Sequence, residues 1–579
     1  MVTATETPRN TGSGTFITAR DTLLKYRDHY TGAVEHFKWP RPQHFNWALD
    51  YFDVRARGND HPALCIADAA GVTRQATFAE LATRSSQVAN HLRSLGVKRG
   101  DPIMLMLGNE PALWETMLAA IKLGAPFVPC SVLLTPQDLA DRMRRCGAHH
   151  VVTNRAYVDR FAGGGGAHLC TDEGEAPKGW TAHAAAYTFP DTFTPDGETG
   201  ADDPLIYYFT SGTTAQPKLV VQTHSSYPMG HLTTMYWIGI RPGDVHFNLS
   251  SPGWAKHAWS SFFAPWNGEA TIVAMNMDRF DPMALLKCLA DQRVNTFCAP
   301  PTVWRMLIQQ DLAAWRGKLS LRELVSAGEP LNPEVIERVR DAWDITIRDG
   351  YGQTETPAII ANSPNQPLRP GSVGRPMPGF TIELLDPDGK PAEEGEVCIA
   401  LTPERPVGLM QGYFSAPEAT AKVMRNGYYH TGDVAMRDAD GWFTYVGRAD
   451  DVFKASDYRI SPFELESVMI THPKIVEAAV VPSPDPVRTS VIKAFVTVSA
   501  GTNVDSGLAR DVFAFTRHEL AAYKRVRRIQ FVADLPKTIS GKIRRVQLRA
   551  DEARRRAAGE LGENEFLEED FPELKRDTK

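Results

Sequence analysis

The chain lacks paired cysteines. Its seven stand singly, at Cys65, Cys130, Cys146, Cys170, Cys288, Cys298 and Cys398, with no CxxC among them. An odd, dispersed set argues against a disulfide framework or a zinc cluster and fits a reducing, cytoplasmic setting. Long apolar runs are missing too: none approaches the roughly 18 residues that a membrane-spanning helix needs. The N-terminus has no basic start leading into an apolar core, so it does not read as a secretory signal. Neither charge sign is in excess. Lys plus Arg number 63 against 69 Asp plus Glu, a net −6, which leaves no nucleic-acid footprint. No internal repeat of roughly 20–50 residues is visible, and the GxxxxGK[ST] phosphate loop is absent.

What is present is a long chain of ordinary globular composition. At 579 residues, 43% hydrophobic and 23% charged, it exceeds one core and implies at least two domains. From about residue 45, short apolar runs alternate with helical patterns: Ile103–Leu107, Leu205–Phe209, Ala270–Ala274 and Thr296–Ala299 read as strands. Val88–Leu95, Leu113–Leu123, Thr302–Gln310 and Pro333–Ala342 read as helices. Such alternation predicts an α/β fold with parallel-rich sheets flanked by helices. After Gly447 the pattern changes to a smaller α+β unit, with helix-like Pro462–Ile470 and Leu508–Leu520 among strands Val476–Val481, Lys493–Val498 and Ile529–Val532. The expected division is a disordered tail over 1–20, an N-terminal domain over 21–446, a C-terminal domain over 447–551 and an acidic tail over 552–579, its end from about Gly559 either solvated or a loosely docked helix. Charged Arg448-Ala449-Asp450-Asp451 suits a hinge, placed at Asp450.

Five segments carry chemistry. Thr210-Ser211-Gly212-Thr213-Thr214-Ala215-Gln216-Pro217-Lys218 follows an apolar strand and offers hydroxyls, backbone N–H groups and a cation to phosphates. Asp349-Gly350-Tyr351-Gly352-Gln353-Thr354-Glu355 places an aromatic between glycines, where a flat ring can approach, and ends in a hard oxygen ligand suited to magnesium. Just upstream, Ser326-Ala327-Gly328-Glu329-Pro330 sits at a strand end, where ligands of open α/β sheets gather. Tyr429-His430-Thr431-Gly432-Asp433, with Arg448, supplies an acceptor for a ribose diol and a donor for ribose or phosphate oxygens. Lys537-Thr538-Ile539-Ser540-Gly541-Lys542 is a loop whose glycine permits a tight turn under Lys542. Taken alone, each of the last two reads as a surface turn before it reads as a site; the order of all of them does not.

Together these segments resemble the acyl-adenylate-forming superfamily over roughly residues 45–550. Gly-Tyr-Gly-Gln-Thr-Glu and Pro484-Asp485-Pro486-Val487-Arg488 look most like the short- and medium-chain acyl-CoA synthetases. The resemblance implies a large N-terminal domain and a mobile C-terminal lid. It also implies use of ATP, Mg2+ and coenzyme A to convert a carboxylic acid into an acyl-adenylate and then a thioester. It implies that Thr210, Ser211, Gly212, Thr213, Thr214 and Lys218 hold the phosphates, while Gly328, Glu329, Pro330, Asp349, Gly350, Tyr351, Gly352 and Gln353 border the adenine. Thr354 then touches the α-phosphate, Glu355 the magnesium, and Asp433, Arg448 and Arg459 the nucleotide. Lys542 bridges carboxylate and α-phosphate, and with Glu355 and Thr210 forms the catalytic set.

By the same resemblance Trp254, Ala255, Lys256 and Gly352 line the acyl pocket. Lys256 and His257 face either the carboxylate or solvent. A glycine at 352 opens a pocket that acetate-specific relatives close with tryptophan, so a longer, branched or aromatic acid is expected. Ser456, Asp457, Tyr458, Arg488 and Arg525, beside Lys524, Arg527 and Arg528, are the candidate coenzyme A contacts. Two residues depart from the family pattern: Ala215 and Asp457 each stand where glycine is usual. Asp457 keeps open an acceptor other than coenzyme A, either a carrier-protein thiol or an amine. A non-catalytic nucleotide-binding protein is the third reading, and a homo-oligomer is left open.

Overall fold

The computed structural model describes residues 12–161, 165–210, 217–329, 331–369, 371–455, 458–485, 488–538 and 542–575, with backbone only at Arg459, Thr489 and Lys575. The chain divides into two units. The larger takes in residues up to 210, 217–382 and 400–429, and the smaller takes in 383–399 and the chain from 430 onward.

The larger unit is built on two sheets. The first runs, in order, Gly71–Thr77, Pro62–Asp68, Thr271–Met275, Val245–Asn248, Thr296–Ala299, Glu323–Ala327, Ile347–Gly352, Ala358–Ala361 and Ser372–Pro376. From Pro62–Asp68 to Ile347–Gly352 its neighbours are parallel. These strands are buried along nearly their whole length, as continuous apolar runs between helices should be. The second sheet is eight-stranded, in the order Gly412–Tyr413, Leu219–Thr223, Pro204–Phe209, Phe127–Pro129, Ile103–Met106, His150–Thr153, His168–Cys170 and Thr181–Ala182. The α/β class expected from the alternation is the class observed.

Local sequence explains the helices that frame these sheets. Thr77 and Glu80 form a reciprocal capping box at the start of Phe78–Ser94, with Glu80 N–H donating to Thr77 at 3.1 Å and Thr77 N–H to Glu80 at 2.8 Å. Thr135 and Asp138 do the same for Pro136–Cys146, which has proline in its first turn and ends at Gly147 with φ 72°. Pro111–Leu123 is mostly apolar and buried on all sides, and its two buried charges are paired, Lys122 with Asp53 at 2.8 Å and Glu115 with Arg84 at 3.3 Å. Among the described residues no helix is long and apolar enough to cross a membrane, and no disulfide joins the seven buried cysteines.

The smaller unit carries a four-stranded sheet, Ile475–Asp485, Thr489–Val498, Arg528–Phe531 and Glu565–Leu567. Helices Pro462–Met469 and Ser506–Glu519 share a core with it through Leu465, Met469, Val480, Ile492, Val512, Phe513 and Ile529. Both ends of the chain correct the sequence reading. Residues 12–20 of the expected tail open a helix, Ser13–Lys25, that buries Phe16, Ala19 and Leu23; residues 1–11 lie outside the described ones. The expected acidic tail is likewise folded. Helix Arg545–Ala557 covers residue 552, and Glu565–Leu567 pairs antiparallel with Arg528–Phe531. Lys493 explains the difference: its ammonium meets Glu552 at 2.5 Å and Glu565 at 3.0 Å, with all three side chains 0% exposed. Acids that composition assigns to solvent are thus the counter-charges of a buried lysine.

Candidate functional site

Within the larger unit the sequence motifs converge on strand ends. Thr210 follows Pro204–Phe209, and Lys218 precedes the antiparallel return strand Leu219–Thr223. The neck of this loop is closed twice: Thr210 N–H donates to the Lys218 carbonyl at 2.9 Å, and Lys218 N–H to the Thr210 hydroxyl at 3.2 Å. Ser211, Gly212, Thr213 and Thr214 lie outside the described residues. The Lys218 ammonium sits 4.8 Å from the Tyr413 ring centroid, and the Tyr413 hydroxyl donates to Glu355 Oε1 at 2.9 Å. One tyrosine therefore links the loop lysine to the candidate magnesium ligand. Glu355 is placed further by its carbonyl, which accepts from Met410 N–H at 2.8 Å. Gln222 Nε2 donates to the Thr354 carbonyl at 2.9 Å, and the Tyr429 hydroxyl donates to Gln353 Oε1 at 2.9 Å.

The second convergence is at the carboxyl ends of two parallel strands. Ser326 pairs with Asp349 and Ala327 with Gly350, so Gly328 and Glu329 emerge beside Tyr351. Gly328 has φ +107°, a backbone that other residues rarely adopt. Glu329 lies 3.9 Å from Arg305, and Pro330 lies outside the described residues. Asp349 is buried and accepts from Leu331 N–H at 3.2 Å and from Gly350 N–H at 3.0 Å. Burial pushes its carboxyl up to about 7, opposed by those two N–H groups and by the Lys256 charge. Gly350 packs on Trp237, whose ring would lie 2.5 Å from any added Cβ. A Cβ at Gly352 would sit 2.2 Å from the Pro357 carbonyl oxygen. The tight hairpin back to Ala358–Ala361 thus accounts for that glycine locally, whatever pocket lies beyond.

The acyl-pocket candidates fall at a short helix, Ala255–Ala258, preceded by Trp254. The Lys256 ammonium donates to the Ala327 carbonyl, which turns it toward the strand ends and not to solvent. His257 is 2% exposed, with its ring 5.4 Å from that of Trp114, so the solvent-facing reading of this histidine is corrected. Burial lowers its pKa to about 3, which keeps the imidazole neutral.

Within the smaller unit Asp433 and Arg448 are cross-strand partners, 3.5 Å apart, and the Tyr445 hydroxyl donates to Asp433 Oδ1 at 3.1 Å. Asp433 is 3% exposed. Asp450, the hinge candidate, is exposed and lies 3.6 Å from the Arg448 guanidinium. Glu396, Cys398 and His430 bring possible ligand atoms within 4.8 Å of one another. Glu396 is already engaged there, by His430 Nδ1 at 2.8 Å and by Gly432 N–H at 2.9 Å, so the group buttresses the strand that carries Asp433. Lys542 is exposed, and its N–H donates to the Thr538 hydroxyl at 3.1 Å. Tyr458 is 52% exposed and stacks on Tyr523 at 4.5 Å. Ser456, Asp457 and the Arg459 side chain lie outside the described residues. Lys524, Arg527 and Arg528 are engaged by Glu464, Glu568 and Asp485. Among the described residues, neither Arg488 nor Arg525 has an ion-pair partner.

Sequence reading missed Tyr413, Gln222, Trp237 and Tyr445. Gln222, Trp237 and Tyr413 meet the motif residues from elements distant in the chain, Tyr445 meets Asp433 from the neighbouring strand, and none stands in a dense polar motif.

A loop at one strand end, a tyrosine between glycines at another and a carboxylate tied to the loop lysine fit a nucleotide-binding α/β enzyme. The sequence matches the AMP-binding enzyme family over residues 52–414 and the AMP-binding enzyme C-terminal domain over residues 464–542. The chain belongs to that family. It is 41% identical over 536 residues to 4-hydroxybutyrate–CoA ligase 1 of Metallosphaera sedula, covering 90% of this chain and 93% of the relative. It is 35% identical over 547 residues to the mitochondrial acyl-coenzyme A synthetase ACSM3 of Mus musculus, with the same coverage, 90% and 93%. Among solved structures, the anthranilate CoA ligase AuaEII in complex with anthranoyl-AMP superposes with a TM-score of 0.79. That match has 26% identity and covers 89% of this chain and 99% of the other.

Proposed function

We propose that this chain is an AMP-forming acid:coenzyme A ligase. The acid's carboxylate oxygen attacks the α-phosphorus of ATP, the bond to the bridging oxygen breaks, and pyrophosphate leaves. The coenzyme A sulfur then attacks the acyl carbon of the adenylate, and AMP leaves. Both steps bring anions together, so the protein's work is positioning and charge neutralisation, and no side chain need act as covalent nucleophile. The observation that carries this reading is the chain Lys218–Tyr413–Glu355, which ties the hydroxyl-rich loop to the carboxylate that ends the Asp349–Glu355 motif.

In this reading the Thr210–Lys218 loop grips the β- and γ-phosphates. Tyr351 stacks on adenine over Gly350, with Asp349 near its amino edge and Gly328 and Glu329 along its border. Thr354 contacts the α-phosphate, and Asp433 and Arg448 take the ribose. Glu355 is a hard carboxylate held by a hydroxyl donor and fits Mg2+, which when bound neutralises polyphosphate charge. Lys542 is exposed on its loop and neutralises the approaching carboxylate and α-phosphate. Arg488 and Arg525 meet the coenzyme A phosphates, with Tyr458 beside them. The acid is short- or medium-chain, branched or aromatic, a range that the named substrates of 4-hydroxybutyrate– and anthranilate–CoA ligases support. The setting is a reducing one such as the cytoplasm.

Lys542→Ala tests the division of labour. Adenylate formation, read by pyrophosphate release, should fall by roughly 10²–10³, while thioester formation from supplied acyl-adenylate should be spared. Equal loss in both half-reactions would refute the assignment, and coenzyme A-independent product would refute the acceptor.

A further inference from the structure

The helix Pro136–Cys146 lies outside every motif discussed so far, yet it presents two guanidinium groups to one ring. The Arg142 guanidinium is 4.8 Å from the Phe209 ring centroid and that of Arg145 is 5.1 Å from it. The two are three residues apart, the spacing that puts side chains on one helix face. Arg144, between them, is exposed and pairs with Asp141 instead. Phe209 is 8% exposed and is the last residue before Thr210. Arg145 also reaches the other end of the same loop, where its Nη2 donates to the Pro217 carbonyl. Its remaining ion pair, to Asp141 at 3.5 Å, comes from the preceding turn of its own helix. One guanidinium thus holds the residue entering the loop by its ring and the residue leaving it by its carbonyl. The neck hydrogen bonds between Thr210 and Lys218 lie between these two holds.

Where a loop's two stems are held decides where its donors meet a ligand, and fixing the stems beforehand reduces the cost of binding. A planar guanidinium suits the task, because it can lie on an aromatic face and still donate in its own plane. We propose that Arg145 is a positioning residue for the polyphosphate of ATP, acting through Phe209 and Pro217 on the Thr210–Lys218 loop, with Arg142 completing the clamp on the ring. The proposal rests on the reading of that loop as the phosphate grip.

The reaction itself provides a readout that a merely structural role would not move. Polyphosphate is present in adenylate formation and absent when acyl-adenylate is supplied with coenzyme A. Arg145→Ala should therefore raise the KM for ATP by roughly tenfold, leave the KM for the acid within about twofold, and leave thioester formation from supplied adenylate unchanged. Arg145→Lys, which keeps charge and a donor but loses the planar stack, should recover part of the loss. Phe209→Leu removes the platform without touching the helix and should reproduce the ATP-specific defect. It decides the matter if Arg145→Ala does not fold. Lys218→Ala, measured alongside, separates the two levels of the argument. If Lys218→Ala leaves the KM for ATP unchanged, the loop is not the phosphate grip. If it raises that KM while Arg145→Ala and Phe209→Leu do not, the loop reading stands and the positioning role of Arg145 is overturned.

Discussion

Tyr413→Phe is the sharpest probe of the nucleotide site, because it removes one atom from a three-residue chain. The hydroxyl lost donates to Glu355 Oε1 at 2.9 Å, and the ring kept lies 4.8 Å from the Lys218 ammonium. A hydrogen bond to a charged acceptor contributes about 1.5–3 kcal/mol, against roughly 0.5–1 kcal/mol for an exposed cation–π contact. Glu355 is only partly buried, so the lower end of the first range applies. The expected loss is then about tenfold, read as a higher requirement for Mg·ATP in pyrophosphate exchange. Tyr413→Leu removes the ring as well and should add a smaller loss, about two- to fivefold, that depends on Lys218. A double-mutant cycle with Glu355→Gln isolates the hydroxyl term, because the phenylalanine change should cost little once the carboxylate is gone. Full additivity of Tyr413→Phe and Glu355→Gln would refute the reasoning, as would an unchanged magnesium dependence in Tyr413→Phe.

Two further outcomes follow from buried carboxylates. Burial raises the Asp349 pKa to about 7, so between the ordinary carboxylate pKa and that value the folded protein holds a proton that the unfolded chain releases. This contribution to stability is complete below the unfolded pKa and fades as pH rises through about 7, by up to about 1.4 kcal/mol per unit. Asp349→Asn should flatten that part of the stability curve in urea unfolding between about pH 4 and 7, and parallel curves for the two proteins would contradict it. Glu552→Gln leaves Lys493 without one of its two buried counter-charges and should destabilise the smaller unit by about 3–5 kcal/mol. Hydrogen exchange along Thr489–Val498 should accelerate accordingly, and unchanged protection would show that Glu565 suffices.

What could be read from sequence, and what could not, divides by distance along the chain. The strand Thr296–Ala299 and the helix Pro462–Met469 were legible because their apolar spacing is local and caps or prolines mark their ends. Thr210–Lys218 and Asp349–Glu355 were legible because each crowds its chemistry into one short run after an apolar strand. The residues that hold those runs in place carry no such signal. Gln222 reaches Thr354 across 132 positions, and Tyr413 reaches Glu355 across 58. Both stand in strands where a glutamine or a tyrosine is unremarked. Helix Arg545–Ala557 shows the same limit in charge: an acid beside several arginines gives no local sign of burial, and only the fold brings Glu552 to Lys493. Composition therefore misplaces a charged residue most easily where its partner lies in another element. Arg145 belongs to that group, since its helix reads as an ordinary amphipathic surface segment, and only the positions of Phe209 and Pro217 give its guanidinium something to hold.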